Sequence, residues 1–115
     1  MMSDYSFDLF PEELITSMPR LMEQEVDDTS EAIVYAHLYG QAGNWYFTEV
    51  DSKGEEGFGY VELSNMPENA EWGYIWIQEL NQMNSKYIKD GNSDFMIRRN
   101  VSWKPKKFSE INLQK

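Results

Sequence analysis

The chain has 115 residues, with 20 Asp and Glu against 10 Lys and Arg for a formal net charge of −10, 15% aromatic residues and no cysteine. That length fits one domain with a real core; the missing cysteine excludes disulfides, thiolate metal sites and cysteine nucleophiles, and the aromatic content argues against a disordered acidic tail. No apolar run approaches the ~18 residues of a membrane span, and Met1 to Phe10 lacks the cationic start of a signal peptide, so a cytoplasmic protein with no membrane role is expected.

The first element is a short helix from Phe10 to Met18. Pro11 suits a first helical turn, Glu12 and Glu13 suit the positive end of the helix dipole, and Phe10, Leu14 and Met18 form one apolar stripe that Pro19 ends. Residues 23 to 31 are polar and acidic and read as a solvated connection. Ala32 to Tyr39 is rich in β-branched and aromatic residues and predicts a strand. A glycine turn at Gly40 to Asn44 joins it to a second strand, Trp45 to Val50, so the two are expected to be antiparallel. The turn Asp51 to Gly57 leads into Phe58 to Leu63, and Asn65 to Asn69 breaks the chain again. Trp72 to Ile77 predicts a fourth strand with Trp72, Tyr74 and Trp76 on one face and Ile75 and Ile77 on the other, both faces covered. Gln78 to Asn84 reads as a short helix. The alternation of Phe95, Ile97, Arg99, Val101 and Trp103 with polar residues reads as a fifth strand ended by Pro105, and Phe108 and Ile111 as a last helical turn. The sum is a single α+β domain over residues 1–115. It holds a meandering antiparallel sheet of about five strands, an N-terminal helix and one or two short helices.

Charge is split along this order. Residues 1 to 80 carry 17 acids and two bases, Arg20 and Lys53, a net of −15; residues 81 to 115 carry eight bases and three acids, a net of +5. Two readings stand: the basic end folds back on the acidic body, or an acidic face stays free to attract basic partners and repel nucleic acid.

Signatures of chemistry are sparse. The single histidine, His37, sits in an apolar strand and reads as a structural histidine, since a metal site would need carboxylates gathered from elsewhere. No Gly-x-Ser-x-Gly elbow is present. Gly40 to Gly43 precedes a strand rather than the helix N-terminus that a phosphate loop requires. Glu49, Asp51 and Glu62 fall on or beside neighbouring strands and are the carboxylates able to pair for cation or acid/base work. Trp45, Tyr60 and Trp72, with Tyr74 and Trp76, are the candidate stacking surface. Around them there is no basic groove, and the basic residues Arg98, Arg99, Lys104, Lys106 and Lys107 oppose a strongly acidic body, which argues against nucleic acid. No catalytic residue, metal or cofactor is assigned.

Several segments together resemble one known family. Leu9-Phe10-Pro11-Glu12-Glu13-Leu14, Pro19-Arg20-Leu21, Gly43 through Asp51, Phe58-Gly59-Tyr60-Val61, Glu71-Trp72-Gly73-Tyr74, Glu79-Leu80 and Trp103-Lys104-Pro105 resemble the bacterial domain-of-unknown-function family DUF-two-nine-five-eight. The resemblance covers most of the chain except Asn81 to Ser93. It implies a small protein or domain carried on plasmids, phages and other mobile elements, and it implies no activity. The expectation is therefore a non-enzymatic interaction protein of a bacterial mobile element that engages a basic protein partner, its oligomeric state open. The alternative is a small-ligand-binding or weakly catalytic domain in which Trp45, Tyr60 and Trp72 wall a cleft and Glu49, Asp51 or Glu62 supplies the chemistry.

Overall fold

The computed structural model describes residues 5–24 and 26–111. The first four residues of the opening segment and Glu25 of the polar connection lie outside the described residues. In chain order the elements are β1 (Tyr5–Ser6), α1 (Glu12–Ser17), β2 (Ile33–Val34), β3 (Ala36–Gly40), β4 (Gly43–Val50), β5 (Glu56–Leu63), β6 (Glu71–Trp76), α2 (Ile77–Lys89), β7 (Arg98–Asn100) and β8 (Lys106–Lys107). Short 3-10 turns link several of them. The fold is α+β. Six strands make one antiparallel sheet in the order β1-β7-β3-β4-β5-β6, and β2 pairs with β8 in a separate two-stranded ribbon.

The period-two alternation of the strands divides the sheet into two unlike faces. Ala36, Leu38, Trp45, Phe47, Val50 and Ile75 point to one face and pack with Leu9, Met18, Ile77, Leu80 and Ile97 into the core beneath α1 and α2. On the opposite face His37, Tyr46, Tyr60 and Trp72 lie directly across from one another on four successive strands. Such in-register rows are the unit of sheet stabilisation. β4 and β5 approach closely enough that a Cβ on Gly59 would sit 1.9 Å from the Tyr46 carbonyl oxygen, so glycine is required there.

Several boundaries depart from the sequence expectation for identifiable reasons. The strand expected over Ala32 to Tyr39 breaks at Tyr35, where the chain leaves the ribbon with β8 and its N–H donates to the Phe47 carbonyl on β4. The strand expected from Phe95 to Trp103 shrinks to Arg98–Asn100. Phe95 ends a 3-10 turn, and after Asn100 the chain turns so that the Trp103 indole N–H donates to the Val34 carbonyl at 3.0 Å. The basic end does fold back: Phe108 N–H donates to Ala32 O and Lys107 pairs with Glu31 at 3.1 Å. It forms a ribbon and a 3-10 turn there rather than the last α-helical turn expected. The face of β6 that carries Trp72, Tyr74 and Trp76 is not covered along its length, since Tyr74 and Trp76 are exposed.

The helix expected over Gln78 to Asn84 runs instead from Ile77 to Lys89. Its polar surface conceals an anchor, because Asn84 is buried, donates from Nδ2 to the Ile97 carbonyl at 2.8 Å and accepts from the Ile97 N–H at 2.7 Å. Those bonds satisfy both backbone groups of a fully buried residue just before β7. Replacing Asn84 by Ala strands both groups, and at about 1–3 kcal/mol per unsatisfied buried group the expected loss of stability is roughly 2–6 kcal/mol. Asn84→Asp is expected to fall at least as far, because a carboxylate offers the Ile97 carbonyl no donor. Urea midpoints for the three proteins check this, and an unchanged midpoint in Asn84→Ala contradicts it.

Candidate functional site

The second face is organised by a strap, residues 19–24, that crosses it after α1. At the strap's start the Val50 N–H donates to the Pro19 carbonyl, and the Arg20 guanidinium donates to Ile15 O at 2.9 Å and Val50 O at 3.1 Å, tying the end of α1 to the end of β4. Gln24 then bridges β2 and β4, donating to the carbonyls of Ile33 and Thr48 and accepting from the Ile33 N–H. Between these anchors Met22 takes a φ of +70°, left-handed backbone that costs a non-glycine residue about 1–2 kcal/mol. Glu49 holds it there. Its two carboxylate oxygens accept from Met22 N–H at 2.9 Å and Gln24 N–H at 2.8 Å. Hydrogen bonds to a charged group contribute roughly 1.5–3 kcal/mol each, so the pair more than offsets the backbone strain.

The strap's geometry leaves Met22 75% exposed at the lip of a cleft of about 550 Å³. Met22, Val26 and Asp27 form one wall, and Phe58 and Tyr74, on adjacent strands with ring centroids 5.1 Å apart, form the other. β6 is the last strand of the sheet. It carries Tyr74 and Trp76 at 59% and 52% exposure, and Glu56 lies in register with Trp76. The cleft therefore reaches, at Tyr74, a strand that carries two exposed aromatic rings and has no outer neighbour among the described residues. Among the described residues the ion pairs are Lys86 with Asp90 and Lys107 with Glu31, so Asp27 in the cleft wall, Glu56 in register with Trp76 and Glu71 on β6 itself make none.

The residues expected to form one site are dispersed. Trp45 is buried in the core, on the face opposite Tyr60 and Trp72, and cannot wall a cleft with them. Glu49 is 5% exposed and engaged by the strap. Asp51 is likewise occupied, its oxygens accepting from the N–H groups of Lys53, Glu55 and Glu56 to hold the turn before β5. Glu62 accepts from Asn44 Nδ2 at 3.5 Å. Tyr60 and Trp72 do meet, with ring centroids 5.6 Å apart, but Phe108 lies 4.8 Å from both and covers them. Met22, Val26 and Phe58 had no signal in the sequence that set them apart from core. Tyr74 and Trp76 did, in their alternation with Ile75, but the sequence does not say that β6 is an edge.

Two strands from Tyr60 the same face holds His37, stacked on Tyr46 at 4.8 Å with an interplanar angle of 5° and flanked by Trp103 at 5.2 Å. Both ring nitrogens are engaged: Nε2 with Asn44 Oδ1 at 2.8 Å and Nδ1 with Asn100 Nδ2 at 3.3 Å. An amide oxygen accepts and an amide nitrogen donates, so the ring is neutral, with its proton on Nε2. Burial holds its pKa below the usual 6.5, and the nearby Lys106 acts in the same sense against the Asn44 bond. Burial also pushes the Tyr46 hydroxyl up to about 12, with Glu62 and Tyr60 adding to it. Because the unfolded chain binds a proton at His37 more readily than the folded one, the part of the stability that rests on neutral His37 is present above about pH 6.5 and is lost as pH falls below it. His37→Gln is expected to remove that component. Urea unfolding of both proteins at about pH 7.5 and about pH 5.5 checks the sign; an equal loss in both contradicts it.

Among the described residues no group of three His, Asp or Glu side chains gathers to hold a metal ion. Comparison with family models, with curated proteins and with solved structures found no match to this chain.

Proposed function

We propose that the protein is a non-enzymatic interaction protein that engages a basic protein partner through the β6 edge and the cleft beside it. One observation carries this more than any other: two aromatic rings, Tyr74 and Trp76, stand more than half exposed on an edge strand among acids that make no ion pair among the described residues. Aromatic faces attract Lys and Arg, by about 0.5–1 kcal/mol at exposed sites, and neighbouring carboxylates supply complementary charge and a faster encounter. Aromatic and Met side chains are also the types enriched at the centres of interfaces. Reading the protein itself as one carried by a bacterial mobile element rests on the family resemblance alone.

A ligand-binding or weakly catalytic cleft built on Glu49, Asp51 and Glu62 has less support. The oxygens of Glu49 and Asp51 are occupied by backbone N–H groups, and Glu62 lies on the other side of the row that contains Tyr60. The expected behaviour is capture of a basic protein by the wild-type chain that weakens as salt rises from about 50 to about 300 mM. Combining Tyr74→Ala with Glu71→Gln is expected to weaken it about tenfold, about 1.4 kcal/mol, without lowering the urea midpoint. Binding indifferent to both salt and these substitutions overturns the proposal.

A further inference from the structure

From the hydrogen-bond parity of β6 and the hollows on both sides of it, we infer that the partner docks as an extended basic segment, adding a seventh strand to the sheet at β6. This rests on the basic-partner reading above and specifies its mode. The Ile77 N–H donates to the Glu55 carbonyl at 2.9 Å, continuing the register in which Glu56 faces Trp76 and Gly57 faces Ile75. Backbone groups in a strand alternate sides, so Gly73 and Ile75 bond toward β5, while Trp72 and Tyr74 turn their N–H and C=O groups outward along the free edge. Natural sheets blunt such edges with Lys, Pro, bulges or very short strands. β6 has none of these: it is six residues long, pairs with β5 without a register shift, and contains neither Lys nor Pro.

Side chains of an added strand alternate between the two faces of the sheet, and both faces have room for them. On the aromatic face lies the 550 Å³ cleft lined by Phe58 and Tyr74. On the other face, beside the same residues of β6, a hollow of about 230 Å³ is lined by Val61, Leu63, Met66 and Gly73 with Asn69 and Glu71 beside them, and a Cβ built on Gly73 meets nothing within 4 Å. A segment alternating basic and apolar residues matches this arrangement: apolar side chains enter the Gly73 hollow, and Lys or Arg lies over Tyr74 and Trp76 toward Asp27 and Glu56. Strand addition takes affinity from the main chain and specificity from alternate side-chain pockets. Charge selects against a second copy as the occupant, because a chain of net charge −10 brings the same acids to the same edge.

The test uses the full chain and a blocked peptide of alternating Lys and Val. With peptide bound at low salt, amide exchange at Trp72 and Tyr74 is expected to slow about tenfold or more, while the already bonded Gly73 and Ile75 change little. Of two analogues, one N-methylated at every Lys and one at every Val, strand addition accepts one and rejects the other. Salt-sensitive binding with unchanged exchange at Trp72 and Tyr74, or equal binding of both analogues, overturns strand addition and leaves the basic-partner reading standing. No peptide binding at low salt overturns both. Protection at Trp72 and Tyr74 that grows with protein concentration alone assigns the edge to a second copy and overturns the inference.

Discussion

The carboxylate of Glu49, accepting from two backbone N–H groups of the strap, is the interaction on which the second face depends. Its position follows from an irregularity in β4. Strict alternation from Trp45 and Phe47 would send Glu49 into the core and Val50 out of it. Between Phe47 and Glu49 the register with β5 slips by one residue, so that Glu49 faces Phe58 and Val50 faces Gly57. One extra residue, Thr48, thus returns Val50 to the core and turns the carboxylate to the opposite face. Thr48 keeps its place by donating its hydroxyl to Phe58 O and by accepting from Gln24 at its own carbonyl. The bulge, the strap and the left-handed Met22 are therefore one device.

The two faces of the sheet are stabilised differently. The helical face is an ordinary apolar core, closed by α1, α2 and the Asn84 anchor to Ile97. The other face is a row of aromatic rings whose polar edges are matched individually: His37 by Asn44 and Asn100, Trp103 by Val34 O. The strap covers one part of that face, and the C-terminal ribbon with Phe108 covers another. β6 extends past both covers, which is why an aromatic pattern that packs inside at Tyr60 and Trp72 becomes an exposed surface at Tyr74 and Trp76. The basic C-terminal segment places Lys107 on Glu31, while Asp27, Glu56 and Glu71 make no ion pair among the described residues, so the basic end folds back without pairing with the acids around β6.

The α+β class, the antiparallel meander through β3 to β6 and the core residues of those strands follow from the alternation of apolar residues and the glycine turns between them. What could not be read was whatever depends on contacts distant in sequence. The two-residue strands β1 and β8 have no pattern of their own and exist only as partners, and nothing in the run Ala32 to Tyr39 marks the break at Tyr35 that makes β2 a separate strand. Asn84 and Gln24 look like solvent-facing amides because their backbone partners, Ile97, Ile33 and Thr48, are set by tertiary packing. Glu49 reads as a reactive carboxylate for the same reason: nothing in the sequence reveals the bulge that aims it at the strap. The candidate surface was half visible, since Trp72, Tyr74 and Trp76 declare a common face, but which of them stays uncovered is decided by where Phe108 lands.

Amide exchange at Met22 and Gln24 is the most direct measure of whether Glu49 organises this face. Both amides lie in a strap on the protein surface, without strand or helix partners, yet both are expected to exchange slowly in the wild-type chain, and at least tenfold faster in Glu49→Ala while amides of the helical-face core such as Leu38 and Phe47 stay protected. Fast exchange at both positions in the wild type, or protection that survives Glu49→Ala, would contradict the account.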